Sequence, residues 1–151
     1  MKIVEKLRSC GFRKLTEPSF WLLVLVLLLI SIVVPAKAEV INIDNQTLLE
    51  LLDEGVPVID VRRADEWQST GIVEGSTLLT FFDSAGNYNA KQWLQTLSGQ
   101  VDTSKPLVLI CMVGGRTSMI SKWLGRQLDT VYNVENGIAG WITAGNKTVA
   151  P

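Results

Sequence analysis

The segment that most constrains the fold runs from residue 106 to residue 128, where a strand pattern changes into a helix pattern. Its first part, Leu107–Ile110, is an unbroken apolar run, which is typical of a central parallel strand covered on both faces. The run ends at Cys111, and from Thr117 onward apolar residues recur at helical spacing. We therefore predict a strand, a short turn and a helix, with Cys111 at the carboxyl end of the strand.

The turn itself has a composition that suits an anion. Gly114 and Gly115 permit positive φ, so we expect the turn to curl around Cys111 with its amide hydrogens directed at the sulfur. The start of the helix adds free amides and the positive end of its dipole, and Arg116 adds a permanent charge. These features favour the thiolate and predict a nucleophilic cysteine, although a cysteine in an apolar run can also be a buried core residue.

Three stretches of the sequence resemble the rhodanese family of sulfurtransferases. The loop from Cys111 to Arg116 has the family's spacing of Cys, two residues, Gly, one residue and Arg. The segment 60–67, DVRRADEW, is similar to the family's second landmark, and residues 136–141 resemble its closing Gly, Gly, Ile, any, any, Trp stretch. The sequence departs from the pattern at Ile72, where the family has His, and at Asn136, where the closing stretch has Gly.

The second landmark also has a structural interpretation. Asp60 at a strand end can cap nearby backbone amides, and Arg62 and Glu66 are four residues apart and can pair on a short helix. Trp67 can fill space beneath that helix. We favour this structural role over direct contact with a substrate.

Strand and helix patterns alternate along residues 40–147, which predicts an α/β fold. Apolar segments at 40–43, 56–61, 78–80, 107–110 and 131–134 predict five strands, the first at a sheet edge. The resemblance implies about five parallel strands flanked by helices on both faces. Ligands of such sheets bind beyond the carboxyl ends of the strands, where Cys111 lies. The order of the strands cannot be derived from the sequence.

The first 38 residues have the pattern of a secretory signal. Five basic residues precede the 15-residue apolar run 20–34, and Ala36 and Ala38 form an Ala, any, Ala cleavage site. We predict a signal peptide at 1–38, cleaved after Ala38, and a rhodanese-like domain at 39–151. An uncleaved membrane anchor is the alternative, and either interpretation places the domain outside the cytoplasm, in the periplasm.

Composition excludes several classes of function. Residues 1–38 hold six of the 14 basic and two of the 15 acidic residues, which leaves a net charge of about −5 for the domain, so we expect no nucleic-acid partner. The sequence has no His, which argues against a Cys–His dyad, a serine triad and a His-based metal site. Cys111 is the only thiol of the domain, since Cys10 lies in the leader. We also expect a monomer, with membrane contact only through an uncleaved leader.

The resemblance implies a sulfurtransferase that moves a sulfane sulfur from a donor such as thiosulfate to a thiophilic acceptor, through a persulfide on catalytic Cys111. It requires no metal or organic cofactor. The expected substrate-binding residues are the turn and the first helical residue, Met112, Val113, Gly114, Gly115, Arg116 and Thr117.

Two alternatives stay open. Cysteine phosphatases and arsenate reductases place five residues between Cys and Arg, whereas four intervene here, and the turn offers no acid for a leaving oxygen. The tighter ring suits a terminal sulfur. A non-catalytic rhodanese-like binding module is the other alternative. Met112 and Val113 make this loop more apolar than loops with a second arginine, so anionic donors should bind less tightly.

Overall fold

The computed structural model describes residues 39–151, and the predicted signal segment 1–38 lies outside the described residues. Within this range five strands alternate with five helices. They are β1 (Glu39–Ile43), α1 (Asn45–Asp53), β2 (Val58–Asp60), α2 (Ala64–Thr70), β3 (Thr77–Leu78), α3 (Ala90–Ser98), β4 (Leu107–Ile110), α4 (Gly115–Leu124), β5 (Thr130–Val134) and α5 (Gly137–Thr143). This order confirms the predicted α/β class.

All five strands are parallel and form one sheet in the order β1, β5, β4, β2, β3. Strand β1 lies at an edge, as predicted. Strand β4 lies in the middle, with Ile110 opposite Asp60 of β2 and Leu109 opposite Asn133 of β5. The strand that leads to Cys111 therefore has a hydrogen-bonded neighbour on each side.

The side chains of β4 divide the core into two layers. Leu107 and Leu109 pack with α3 and α4 on one face, and Val108 and Ile110 pack with α1 and α5 on the other. All four are fully buried, as expected of a parallel strand covered on both sides. Because side chains alternate along a strand, Cys111 continues the row of Leu107 and Leu109 and joins the layer of α3 and α4.

Several boundaries differ from the predicted ones. Helix α4 begins at Gly115, two residues before the predicted start, and ends at Leu124, where the amide of Gly125 caps it through Ser121 O. Leu128 is still buried, in a turn closed by its amide to Leu124 O at 2.9 Å. In α1, Leu48 is fully buried and Leu49 is 42% exposed, because successive residues lie about 100° apart around a helix.

The C-terminal segment contacts the connection between α2 and β3. Ile72 and Val149 form an antiparallel bridge, with both backbone hydrogen bonds made at 2.9 and 3.0 Å. The indole Nε1 of Trp141 donates to Lys147 O at 2.8 Å. At the position where the resemblance expects His, buried Ile72 thus takes part in a backbone contact with the end of the chain. No helix among residues 39–151 has the length and apolarity needed to cross a membrane.

Candidate active site

Cys111 follows β4 directly and is 1% exposed. Its Sγ lies 3.4 Å from Oγ1 of Thr117, which is fully buried in the first turns of α4 and also donates to Gly114 O at 3.0 Å. A hydroxyl has one hydrogen and two lone pairs, so Thr117 can accept from the thiol while it donates to Gly114 O, or turn and donate to a thiolate. Thr117 can therefore form a hydrogen bond with the sulfur whether Cys111 is a thiol or a thiolate.

The carbonyl groups that precede the turn are bound to α5. Cys111 O accepts from the amide of Ile138 at 2.8 Å, and Met112 O accepts from the amide of Ala139 at 3.0 Å. This close approach requires Gly137, which has φ 53°, because a Cβ there would overlap Cys111 O. The amides of residues 112–117 donate to no acceptor among residues 39–151. They remain available to a bound anionic group.

The two glycines of the turn have different roles. Gly114 has φ 84°, is buried, and lies so close to Glu135 that a Cβ would overlap the carbonyl oxygen of that residue. Gly115 is exposed, has no positive φ, and has open space around its Cα. Of the predicted pair, only Gly114 needs the conformational freedom of glycine. Met112 is half-buried and Val113 is 63% exposed.

Arg116 forms a two-pronged ion pair with Glu66 of α2. Its Nη1 donates to Oε2 at 2.8 Å and its Nη2 donates to Oε1 at 2.5 Å, and the two side chains are 25% and 13% exposed. Hydrogen bonding by Arg116 holds the pKa of Glu66 below its ordinary value, and Glu66 raises the pKa of Arg116. A smaller contribution to the raised pKa of Arg116 comes from Cys111, so this charge lies within electrostatic reach of the sulfur. Arg116 is thus oriented before any ligand binds.

A second, fully buried ion pair supports α2. Asp60 accepts from Nε of Arg62 at 2.9 Å and from Nη2 at 2.6 Å, and it caps the backbone amide of Arg62 at 3.1 Å. The same guanidinium donates to Thr70 Oγ1 at 2.6 Å and to Gly71 O at 2.9 Å, at the carboxyl end of α2. A cation there satisfies free acceptors and complements the helix dipole. The predicted capping role of Asp60 is confirmed.

The predicted pairing of Arg62 with Glu66 is wrong. Helix α2 begins at Ala64, so Arg62 precedes it and the four-residue spacing of a helix does not apply. The carboxylate of Glu66 instead receives the amide of Arg63 at 3.1 Å and the guanidinium of Arg116. A usable signal was present: Asp60 and Arg62 are two apart in an extended segment, where such residues share a face.

Comparisons with known proteins agree with this architecture. The family model for the Rhodanese-like domain matches residues 44–144. Rhodanese-like domain-containing protein 17 of Arabidopsis thaliana is 27% identical over 121 residues, which are 71% of each chain. The crystal structure of a rhodanese-related protein from Thermoplasma volcanium superposes with a TM-score of 0.57 at 24% identity and covers 74% of this chain and 99% of its own. A polysulfide-sulfur transferase from Wolinella succinogenes, a homodimer in solution, gives 0.54 at 24% identity and covers 76% and 81%.

Proposed function

Since the chain belongs to the rhodanese-like domain family, as the Cys111 loop predicted, we propose that it is a sulfurtransferase that works through a persulfide on Cys111. The family includes sulfurtransferases, and the fold is shared with a polysulfide-sulfur transferase. The donor would be a small sulfane compound such as thiosulfate, and the acceptor a small thiophilic compound.

One observation carries the proposal: the thiol ends the central strand inside a turn whose amides are unused. Cys111 Sγ lies beside the hydroxyl of Thr117, and the amides of residues 112–117 have no acceptor among residues 39–151. A set of fixed donors around one sulfur stabilises the negative charge that a thiolate or a persulfide carries. A core cysteine would need no such donors.

In the first half-reaction the Cys111 thiolate attacks the outer sulfur of thiosulfate. A bond forms between Sγ and that sulfur, the S–S bond of thiosulfate breaks, and sulfite leaves with the electron pair. In the second, cyanide or a thiolate removes the outer sulfur and Cys111 leaves as a thiolate. Arg116 uses two of its five N–H donors to bind Glu66, which fixes its position. Its other donors remain free to bind thiosulfate.

The phosphatase alternative is disfavoured by the size of the ring. Helix α4 begins at Gly115, and only four residues separate Cys111 from Arg116. Glu66, the carboxylate that pairs with Arg116, is bound to two partners and has a lowered pKa, which suits it poorly as a general acid.

The test is a direct mass measurement on the full chain. Thiosulfate should add one sulfur atom, about 32 Da, at Cys111, and cyanide should remove it. Cys111→Ser should not gain the adduct, because an unactivated hydroxyl is a poor nucleophile. Thr117→Val, which keeps the shape and removes the hydroxyl, should slow the loading. Hydrolysis of aryl phosphates without any adduct would support the phosphatase. The absence of both activities would support the non-catalytic module.

We also propose that the domain is exported to the periplasm as a monomer and has no nucleic-acid partner. The proposal rests on the leader pattern of residues 1–38 and on the acidic domain. Sequencing the exported protein from its N-terminus should begin at Glu39. Retention of residues 1–38 would instead favour a membrane anchor.

A further inference from the structure

An apolar cavity lies beside α4, on the same side of the sheet as the Cys111 sulfur. Its volume is about 170 Å³, and its walls come from the segment after β3, from the first residue of α3 and from α4. The lining residues are Phe81, Tyr88, Ala90, Met119, Ile120 and Trp123. No charged side chain is among them, and four of the six are aromatic or carry sulfur.

The cavity is close to the sulfur along both the helix and the core. Ile120 follows Thr117, the neighbour of Cys111 Sγ, by three residues, which is about 4.5 Å along a helix axis. Phe81 and Ile120 belong to the same core cluster as Cys111. The cavity therefore borders the core layer that holds Cys111.

The walls are partly open to solvent. Tyr88 is 58% exposed and Met119 is 54% exposed, although both are large apolar side chains. The ring of Tyr88 stacks on Phe81, another lining residue, with centroids 5.2 Å apart. Exposed aromatic and thioether groups around a concave site are typical of a surface that receives a ligand.

The loop presents an apolar side chain beside its paired arginine. Arg116 is paired with Glu66, and the exposed side chain of the turn is the aliphatic Val113. A cavity of ~150 Å³ with aliphatic and aromatic walls is large enough for benzene. An aryl ring or a short alkyl chain therefore fits both the volume and the lining of this cavity.

We infer that this cavity binds the aryl or alkyl group of a small organic thiol that accepts the sulfur from Cys111. The inference rests on the proposed sulfurtransferase function and names its acceptor class. The thiolate attacks the outer, protonated sulfur of the Cys111 persulfide, a bond forms between the two sulfurs, and the bond to Sγ breaks. Cys111 leaves with the electron pair, and the acceptor becomes a persulfide without any external oxidant or reductant.

The experiment compares two thiols on the loaded full chain. The protein is treated with thiosulfate, freed of excess, and mixed with phenylmethanethiol or 2-mercaptoethanol, and the loss of the sulfur adduct is followed by mass spectrometry. Each rate is divided by the rate of the same thiol with a small disulfide in solution, which removes intrinsic reactivity. Phenylmethanethiol should then be faster by about tenfold or more.

Two variants test whether the cavity causes this preference. Met119→Gln and Tyr88→Ala change exposed positions, so the fold should survive, and each should reduce the preference by about threefold or more. Leu49→Gln, at an equally apolar exposed position on α1, is the matched control and should keep the full preference. Equal normalised rates in the unchanged protein, or a preference that both cavity variants retain, would overturn the inference.

The outcomes separate the two proposals. An adduct that cyanide discharges but that shows no preference between the thiols leaves the sulfurtransferase intact and removes only the acceptor class. Failure of thiosulfate to form any adduct removes the sulfurtransferase and this inference together.

Discussion

Glu66 connects two parts of the site through one carboxylate. It accepts from the amide of Arg63 at the start of α2, and it accepts both prongs of Arg116. A planar guanidinium matches a carboxylate in this geometry, and Lys would not reproduce it. The position of the loop arginine is therefore set by a residue 50 positions earlier in the sequence.

This pair predicts a pH dependence of stability. The folded pKa of Glu66 lies below its ordinary 4.5, so the unfolded chain binds more protons as the pH falls. The free energy of unfolding contributed by Glu66 should be fully present above that value and should be lost as the pH falls through the lowered pKa. In urea unfolding between about pH 6 and 3, Glu66→Gln should flatten part of the decline.

The control is a double-mutant cycle. In an Arg116→Gln background the carboxylate has lost its main partner, so adding Glu66→Gln should change the pH slope much less. The same change in both backgrounds would show that Arg116 does not set the titration of Glu66.

The buried pair of Asp60 and Arg62 should matter more for folding than for chemistry. Asp60→Ala leaves a fully buried guanidinium without its counter-charge, which we expect to lower the free energy of unfolding by about 3–5 kcal/mol. Asp65→Ala removes the same kind of pair with Arg63 at the exposed start of α2 and should leave the urea midpoint nearly unchanged. Equal shifts in the two midpoints would contradict this account.

At the scale of elements, the turn between β4 and α4 depends on one glycine. Gly114→Ala places a side chain at φ 84° and against Glu135 O, so we expect both strain of about 1–2 kcal/mol and displacement of the turn. Gly115→Ala meets nothing within 4 Å and should keep or raise stability by about 0.4–1 kcal/mol. Thermal unfolding and the rate of sulfur loading should both separate the two variants, and equal effects would show that the turn tolerates a Cβ at either position.

The elements that local patterns determine were predicted well. The apolar run of β4, its cysteine and the helix behind it all lie where the sequence places them, because burial on both faces and helical spacing leave a direct record in the residues. Their boundaries were less accurate: the stripe that reaches Leu128 suggested a longer α4, but Gly125 ends the helix and a turn buries Leu128. Strand β3 covers only Thr77–Leu78, whereas the sequence predicted a strand at 78–80, and it pairs with β2 alone.

The parts of the site that were missed are those made by distant residues. Arg116 meets its partner because β2 and β4, which precede α2 and α4, are neighbours in the sheet. No local sequence pattern predicts this strand order. The cavity beside α4 likewise combines residues about 30 to 40 apart in the sequence. Spacing rules within one element cannot find such pairs.

At the scale of the whole molecule, the C-terminal segment contacts the residues that follow α2, the helix that carries Glu66. Gly71 lies so close to the C-terminal segment that a Cβ would be 2.7 Å from Thr148 Oγ1, and its carbonyl oxygen accepts from Arg62. Ile72, the next residue, exchanges both backbone bonds with Val149. A continuous path of contacts therefore joins residues 147–149 to the Asp60–Arg62 pair and so to α2.

Removing this segment should loosen the molecule at a defined place. A chain that ends at Asn146 lacks the acceptor for the Trp141 indole and both bonds to Ile72, three hydrogen bonds that are each worth about 0.5–1.5 kcal/mol. We expect a clear fall in the urea midpoint and fast hydrogen exchange at the Ile72 amide, because its acceptor is gone. A chain that ends at Val149 keeps all three bonds and should match the full protein. The Val108 amide, which donates to Pro57 O inside the sheet, should stay protected in both as long as the fold persists. An Ile72 amide that stays protected after removal of residues 147–151 would show that the C-terminal segment does not hold this region.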